Sequence, residues 1–293
     1  MEKFLRRFPA LRAWLLLTPS IVWLGLFFVA PLFIVLAYSF LQRDAFGGVT
    51  WQFTLENYQR IFDALYLNTF LRSLYIAAAT TLICLLMGFP LAYFIATRPA
   101  RWRSTLLIAL IIPFWTNFLI RTYAWLSLLR TNTGLINVTL MSLGIIKAPL
   151  PLFGNDFAII VGLVYGWLPD MVLPIYAALE RLDTRLLEAA QDLYATRRNI
   201  FLRVIFPLSL PGIVAGSMLV FIPSLGAFVT PTLLGGGKSL MIGNIINNQF
   251  LMARDWAFGS ALSAVMMLLM LLATLIYFRV ANAQQGATDD NHS

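Results

Sequence analysis

The residues able to do chemistry in this chain are few, and most are acids in unusual places. Glu188 and Asp192 stand one helical turn apart in the stretch LLEAAQDLYATRRNIFLRVIFPLSLPG, Leu186 to Gly212, a charged segment in a chain that is 60% hydrophobic. Asp170 is the one clear acid inside the apolar run from Phe157 to Leu179, and Asp255 sits between Arg254 and Trp256. Carboxylates so placed can pair with cations. They have no metal or nucleophile set to work with, because the chain has a single cysteine, Cys84, and a single histidine, His292, in the polar tail. Gly235-Gly236-Gly237-Lys238-Ser239 superficially suggests a phosphate-binding loop but lacks the required glycine-to-lysine spacing. The chain therefore reads as non-catalytic.

What must position these acids is a membrane. A mean hydropathy of +0.79 and 12% charged residues exclude an ordinary soluble domain. A spanning helix needs about 20 apolar residues. Six runs qualify: Trp14 to Leu41, Ser73 to Thr97, Ser104 to Ile120 with an extension past Arg121 to Leu129, Phe157 to Leu179, Phe206 to Thr230, and Trp256 to Phe278. Thr131 to Ile146 is also uncharged, but Asn132, Gly134, Asn137 and Gly144 interrupt it, and it reads as an interfacial segment. The first run is too long for a signal-peptide core and has no small-residue cleavage site, so it reads as a retained span. The expected organisation is an all-α integral membrane protein: a cytoplasmic segment 1–13, a six-helix domain 14–280, and a polar cytoplasmic tail 281–293.

Lysine and arginine are retained on the cytoplasmic side of short loops. With both termini inside, 13 of the 21 basic residues lie on the inner side, and the longer outer loops hold the rest. These residues flank apolar runs and form no basic stripe on a soluble domain. The net charge of +8 thus reflects topology rather than nucleic-acid binding.

This topology places residues 180–206 in the cytoplasm as the longest inner loop. Leu186, Ala189, Ala190 and Leu193 recur on one helix face, while Glu188 and Asp192 share another. Asp183 is a natural N-cap. Two acids at this spacing repel by a few tenths of a kcal/mol in an isolated helix, and Arg185 offsets part of that. Thr196 can cap a second short helix with Ile200, Phe201, Val204 and Ile205 on its apolar side, and Pro207 suits the start of the next span. The loop reads as helix, turn, helix. It is either a solvated amphipathic segment or a helix that lies in a partner's groove.

Glu188-Ala189-Ala190, the acid Asp192 and the ending Ile205-Phe206-Pro207-Leu208 resemble the EAA loop of ABC importer permeases, which docks into a cleft of a cytoplasmic ATPase. Tyr194 stands where that family usually has glycine. A bulky residue with positive φ costs on the order of 1 kcal/mol or more, so Tyr194 either bears that cost or bends the loop differently. The similarity covers nearly the whole chain and is greatest to permeases of spermidine and putrescine importers. It is carried by Pro113-Phe114-Trp115-Thr116-Asn117 with Ile120-Arg121, by Leu168-Pro169 through Pro174, by Pro223-Ser224-Leu225-Gly226-Ala227-Phe228-Val229, and by Gly235 through Asn244 followed by Arg254-Asp255-Trp256. The resemblance implies a type I (MetI-like) importer permease fold in a bacterial inner membrane. It also implies a second permease subunit, a cytoplasmic ATPase dimer that binds ATP and Mg, and a periplasmic substrate-binding protein, with no cofactor in this chain. Glu188, Ala189, Ala190, Asp192, Tyr194 and Pro207 are the implied coupling residues, and the Gly235–Ser239 turn the implied outer contact with the binding protein.

A polyamine path needs carboxylates for its ammonium groups and aromatic faces for cation–π contact. An acid inside a span costs roughly 2.5 kcal/mol or more on insertion scales and usually faces a cavity or a partner, which makes Asp170 the sharpest candidate. Trp115, Asn117, Tyr123 and Trp167 could line the same cavity, and Pro223 could open its helix toward the passage. Each has a plainer alternative: Asp170 capping a helix broken at Pro169 or pairing with Arg121, the aromatics packing helices, Pro223 merely kinking one. Asp255 is expected in a local ion pair. Many polyamine permeases carry an acid after the proline that follows the gate, where this chain has Pro231-Thr232-Leu233-Leu234. Another small solute, such as an opine, an amino-acid derivative or a metal chelate, is therefore the rival substrate. An autonomous channel or ion-driven transporter would show charged relays or inverted repeats, and one buried acid without a clear repeat argues against it.

Overall fold

The computed structural model describes residues 9–44 and 47–289. The chain divides into two compact units, one of residues 1–63 with 246–267 and the other of residues 64–245 with 268–293. In the first unit, helix α1 (Pro9–Leu24) passes through one π-helical turn, Gly25–Val29, into α2 (Ala30–Ser39). The turn begins at a glycine and ends two residues before Pro31, and such single wide turns are common where the regular ladder is interrupted. A short antiparallel hairpin follows, β1 (Leu41–Arg43) against β2 (Val49–Phe53), with an irregularity between Leu41 and Gln42. It is the one strand pair among the described residues of an otherwise helical chain. Helix α3 (Glu56–Ile61) closes the segment, and the buried Asn57 amide donates to the carbonyls of Ser39 and Leu41 at 3.1 and 2.9 Å.

The second unit opens with α4 (Ala64–Ala96), then α5 (Ala100–Ile111), a 3-10 turn Ile112–Trp115, and α6 (Phe118–Leu129). The two legs from Ala100 to Trp115 and from Phe118 to Leu129 meet at 83°. The expected third span is therefore bent sharply. Pro113 lies in the tight turn, and Asn117 restarts the helix by accepting the Leu119 N–H at 2.8 Å. The uncharged stretch that follows contains α7 (Leu135–Ser142), tied down by buried Asn137, which donates to the carbonyls of Thr131 and Leu150 and accepts from the Leu150 N–H.

Helix α8 (Asp156–Glu180) runs unbroken through Pro169 and Pro174, so Asp170 does not cap a broken helix. Inside a bundle, proline can be absorbed by local adjustment of the freed carbonyls. Next come α9 (Thr184–Asp192) and α10 (Arg197–Ile200), the latter joined by a π-helical turn, Phe201–Ile205, to α11 (Phe206–Leu225). The fifth span thus starts inside the loop and stops at Leu225, earlier than the apolar run does, because the chain leaves the helix at Gly226. Pro223 lies in the last turn rather than at mid-span. Short α12 (Val229–Leu234), then α13 (Ile242–Leu251) and α14 (Trp256–Asp289), complete the chain. Among the described residues, five helices are long and apolar enough to cross a membrane, and six if the bent pair is one span.

Helices α4, α8 and α11 form the core of the second unit, burying Cys84, Ala92 and Ile95, then Met171, Val172 and Ile175, then Ile213 and Val220. Glycines let them approach. A Cβ on Gly212 would lie 2.5 Å from the Pro174 carbonyl oxygen, one on Gly216 2.9 Å from that of Met171, and one on Gly88 2.9 Å from the Met171 side chain. Gly212 and Gly216 are four apart, the small-xxx-small spacing of closely packed membrane helices.

Candidate functional site

The loop after α8 is built from caps and one unusual turn. At the end of α8, the Tyr176 hydroxyl donates to Glu180 at 2.6 Å, and Arg103 lies 3.7 Å from the same carboxylate. Asp183 caps α9, accepting the Arg185 N–H at 2.9 Å, and Thr196 caps α10 through the Asn199 N–H at 3.4 Å. Between them the Ala195 N–H reaches the Ala190 carbonyl at 3.1 Å and the Tyr194 N–H reaches the Gln191 carbonyl at 2.9 Å. These are the two bonds of a Schellman termination, with Tyr194 in the position glycine usually holds. Its φ is +55°, so the tyrosine adopts the left-handed conformation and does not bend the loop another way.

The face that α9 turns to the core differs from the one its periodicity suggests. Leu187 and Ala190 pack against the α4/α8/α11 core, as do Ala195 and Phe201 beyond the turn. Leu186 is 49% exposed and Leu193 82%, and Ala189, Glu188 and Asp192 are exposed as well. The seam is rotated, leaving most of the expected apolar face unpartnered within the chain. Ile200 and Ile205 are buried, the Phe201 ring meets Phe89 edge-on at 5.6 Å, and Pro207 stands in the first turn of α11.

The candidate path residues are dispersed. Asp170 is half-buried on α8. Trp115, 81% exposed, closes the 3-10 turn; Asn117 spends its side-chain oxygen on the cap; Tyr123 is exposed on α6; Trp167 packs in the core with its indole N–H unpartnered. None of these four lines the crevice between α6 and α8, which is formed by Phe118, Arg121, Thr122, Trp125, Gly162, Tyr165 and Gly166. Arg121 makes no ion pair with Asp170 among the described residues. Its guanidinium lies 4.9 Å from the Phe114 ring centre and, at 5.9 and 6.0 Å from Phe118 and Tyr165, at the outer limit of cation–π contact with them, with Nε and Nη1 buried and unpartnered among the described residues.

Two clusters escape sequence reasoning. Arg72 on α4 binds Asp156 at the start of α8 through Nε at 3.0 Å and donates to the Ser239 hydroxyl at 2.8 Å, while the Ile242 N–H donates to Ser73. The Gly235–Ser239 turn, with Gly236 and Gly237 at positive φ, is thereby anchored at its end rather than free. In the first unit, buried Asp255 accepts the Phe258 N–H at 3.0 Å, capping α14, and pairs with Arg60 at 3.0 Å and Arg43 at 3.9 Å. The expected local pair is not with Arg254, whose φ is +50° and whose carbonyl accepts the Gly48 N–H. Only the acidic residue just before α14 was a cue to the cap. Nothing local marks arginines 195 and 212 positions away (255 − 60 and 255 − 43).

Residues 88–285, which contain the capped loop, the bent span and Asp170, match the family of binding-protein-dependent transport system inner membrane components. The chain belongs to that family. This inner-membrane component is 45% identical over 268 residues to the spermidine/putrescine transport system permease protein PotB of Salmonella typhimurium (strain SL1344), covering 92% of this chain and 93% of the relative. It is 46% identical over 259 residues to PotB of Escherichia coli (strain K12), covering 88% and 94%. In fold it is similar to a bacterial ABC transporter involved in the import of the acidic polysaccharide alginate, with a TM-score of 0.75, 19% identity, and 95% and 98% of the two chains covered. It thus has the ABC importer permease fold.

Proposed function

We propose that the chain is one permease subunit of an ATP-driven importer of polyamines such as spermidine and putrescine. The observation that carries this reading is its 45% identity, over 92% of its length, to a spermidine/putrescine permease. In this reading both termini are cytoplasmic, a second permease subunit completes the path, and a periplasmic binding protein delivers the amine. ATP and Mg are bound by a cytoplasmic ATPase dimer. The loop 180–206 is the coupling element: Glu188, Ala189, Ala190 and Asp192 lie on a short helix clamped at both ends, with Glu188, Ala189 and Asp192 exposed on its outer side, the form that fits a partner's groove. Its rigid joining to α8 and α11 passes the ATPase motion to the spans. Asp170 is the carboxylate offered to the amine, and Trp115, Asn117, Tyr123, Trp167 and Pro223 border the path.

Uptake of labelled spermidine and putrescine into vesicles holding the full complex, with ATP and binding protein, tests the substrate, using an opine and a metal chelate as controls. Amine uptake supports the reading. ATPase assembly with uptake of a control solute alone overturns the amine and keeps the permease, the outcome favoured by the absence of an acid in Pro231-Thr232-Leu233-Leu234. Glu188→Arg tests coupling: ATPase association and transport fall while membrane insertion is unchanged, and full transport by this variant removes the role.

A further inference from the structure

Tyr194 raises an energetic question that the chain alone does not answer. Only Tyr194 and Arg254 among the described non-glycine residues have positive φ. A left-handed residue with a Cβ costs on the order of 1–2 kcal/mol relative to the right-handed region, and glycine would make the same Schellman turn without it. A strained residue persists where surrounding contacts over-determine it. Yet Tyr194 is 96% exposed, so among the described residues no packing offsets the strain.

Its surroundings indicate where the offset arises. Leu193 is 82% exposed beside it, and Leu186, two turns earlier, stands on the same face of α9. The backbone beneath is held by the Schellman bonds and by Leu187, Ala190, Ala195 and Phe201 in the core, so these side chains project from a fixed base. Glu188 and Asp192 on the same helix keep this end out of the hydrocarbon, where a carboxylate is costly. A leucine–tyrosine pair on a fixed backbone, with Glu188 and Asp192 on one side and Arg197 and Arg198 on the other, suits a protein surface with an apolar socket and a charged rim of both signs.

Resting on the reading of this loop as the coupling element, we propose that Leu193 and Tyr194 form a preorganised knob seated in a socket of the ATPase, and that this knob selects which ATPase the permease accepts. Aromatic anchors in a desolvated pocket dominate interface energies, and fixing the tyrosine in its bound conformation lowers the entropy lost on docking. A glycine at this position would leave the socket unfilled. The strain is then offset in the complex and expressed only in the free permease.

The test measures binding of the purified cognate ATPase to the permease pair in nanodiscs, together with thermal stability of the pair alone. Tyr194→Gly is expected to weaken ATPase binding about tenfold, equivalent to about 1.4 kcal/mol, while the free pair becomes at least as heat-stable as wild type. Tyr194→Asn, which also tolerates the left-handed conformation, is expected to weaken binding similarly, and Leu193→Ala by a smaller factor. An ATPase from an importer whose permeases carry glycine here is expected to bind Tyr194→Gly better than wild type. ATPase binding within twofold of wild type for both Tyr194 variants overturns the proposal, as does a loss of stability in lipid without a loss of ATPase affinity, which would make the pair a bilayer anchor. Glu188→Arg separates the two readings. If it abolishes ATPase binding and the Tyr194 variants do not, the coupling loop stands and the knob falls; if it leaves binding intact, the coupling reading falls first.

Discussion

Replacing Gly212 by alanine adds a single methyl group where α11 crosses α8, and the structure allows its effect to be worked out. The new Cβ would stand 2.5 Å from the Pro174 carbonyl oxygen, 2.7 Å from the Ala178 Cβ and 3.0 Å from the Ile175 Cα. Ordinary contact begins at 3.4 Å, so the crossing must open by about 0.9 Å, the difference 3.4 − 2.5. No flexible side chain can yield, because two of the three atoms are backbone and the third is a methyl carbon on the same helix. Overpacking of this kind costs about 1–3 kcal/mol, and opening the crossing also loosens the contacts of Ile213 and Val220 with the core.

The assay is thermal unfolding of the detergent-purified chain beside Gly25→Ala, whose added Cβ meets nothing within 4 Å and which is expected to behave as wild type. Gly212→Ala should unfold at a clearly lower temperature. With the loop between α8 and α11 read as the proposed coupling element, it should also lose ATP-dependent uptake in proportion to the shifted crossing. A Gly212→Ala chain as stable and as active as Gly25→Ala would refute the close-packing argument and the role given to this crossing.

Two further predictions concern acids. Asp255→Asn removes the charge that Arg60 and Arg43 share and weakens the cap of α14; since Arg60 is itself 40% exposed, the loss is expected to be about 1–3 kcal/mol, read as faster proteolysis within the 41–53 hairpin. Unchanged proteolysis would show that the cluster does not hold the hairpin. Asp170→Asn is expected to lower spermidine and putrescine uptake about tenfold, the equivalent of about 1.4 kcal/mol of lost ammonium pairing, with ATPase assembly unchanged; wild-type uptake would make this acid structural.

Features set by neighbouring residues were legible in the sequence. Charge-free runs of sufficient length became the spans, and Asp183 and Thr196 became the caps, because hydropathy and capping act over a few residues. The 83° bend was legible in part: Pro113 and the capping residue Asn117 both stand there, but the surrounding run is apolar and reads as one span. What stayed hidden depends on partners far along the chain. In an apolar span every face is hydrophobic, so periodicity could not say that Met171 would lie between Gly88 and Gly216, or that α9 would bury Leu187 in place of Leu186 and Leu193. The Arg72–Asp156–Ser239 cluster joins residues 84 and 167 positions apart, and no local pattern encodes that. Tyr194 was recognisable as an exception, but only the backbone angle decided between a strained turn and a different one.

Helix α8 connects these observations into a mechanism. Its first residue, Asp156, is bound by Arg72, which also holds Ser239 at the end of the glycine-rich turn. Its middle is gripped at Met171 by Gly88 of α4 and Gly216 of α11. Its last residue, Glu180, is bound by Tyr176 and Arg103 immediately before the capped loop. A helix held at both ends and clamped at its centre is poorly suited to bending, despite two prolines, and well suited to moving as a rod with α4 and α11. In the proposed orientation the rod runs from the side that meets the binding protein to the side that meets the ATPase, with Asp170 one residue from the clamp. A displacement imposed on the loop by ATPase closure would then reach the glycine-rich turn and the acid together. Discrete motion of packed elements of this kind is how a small shift at one site becomes alternating access at another.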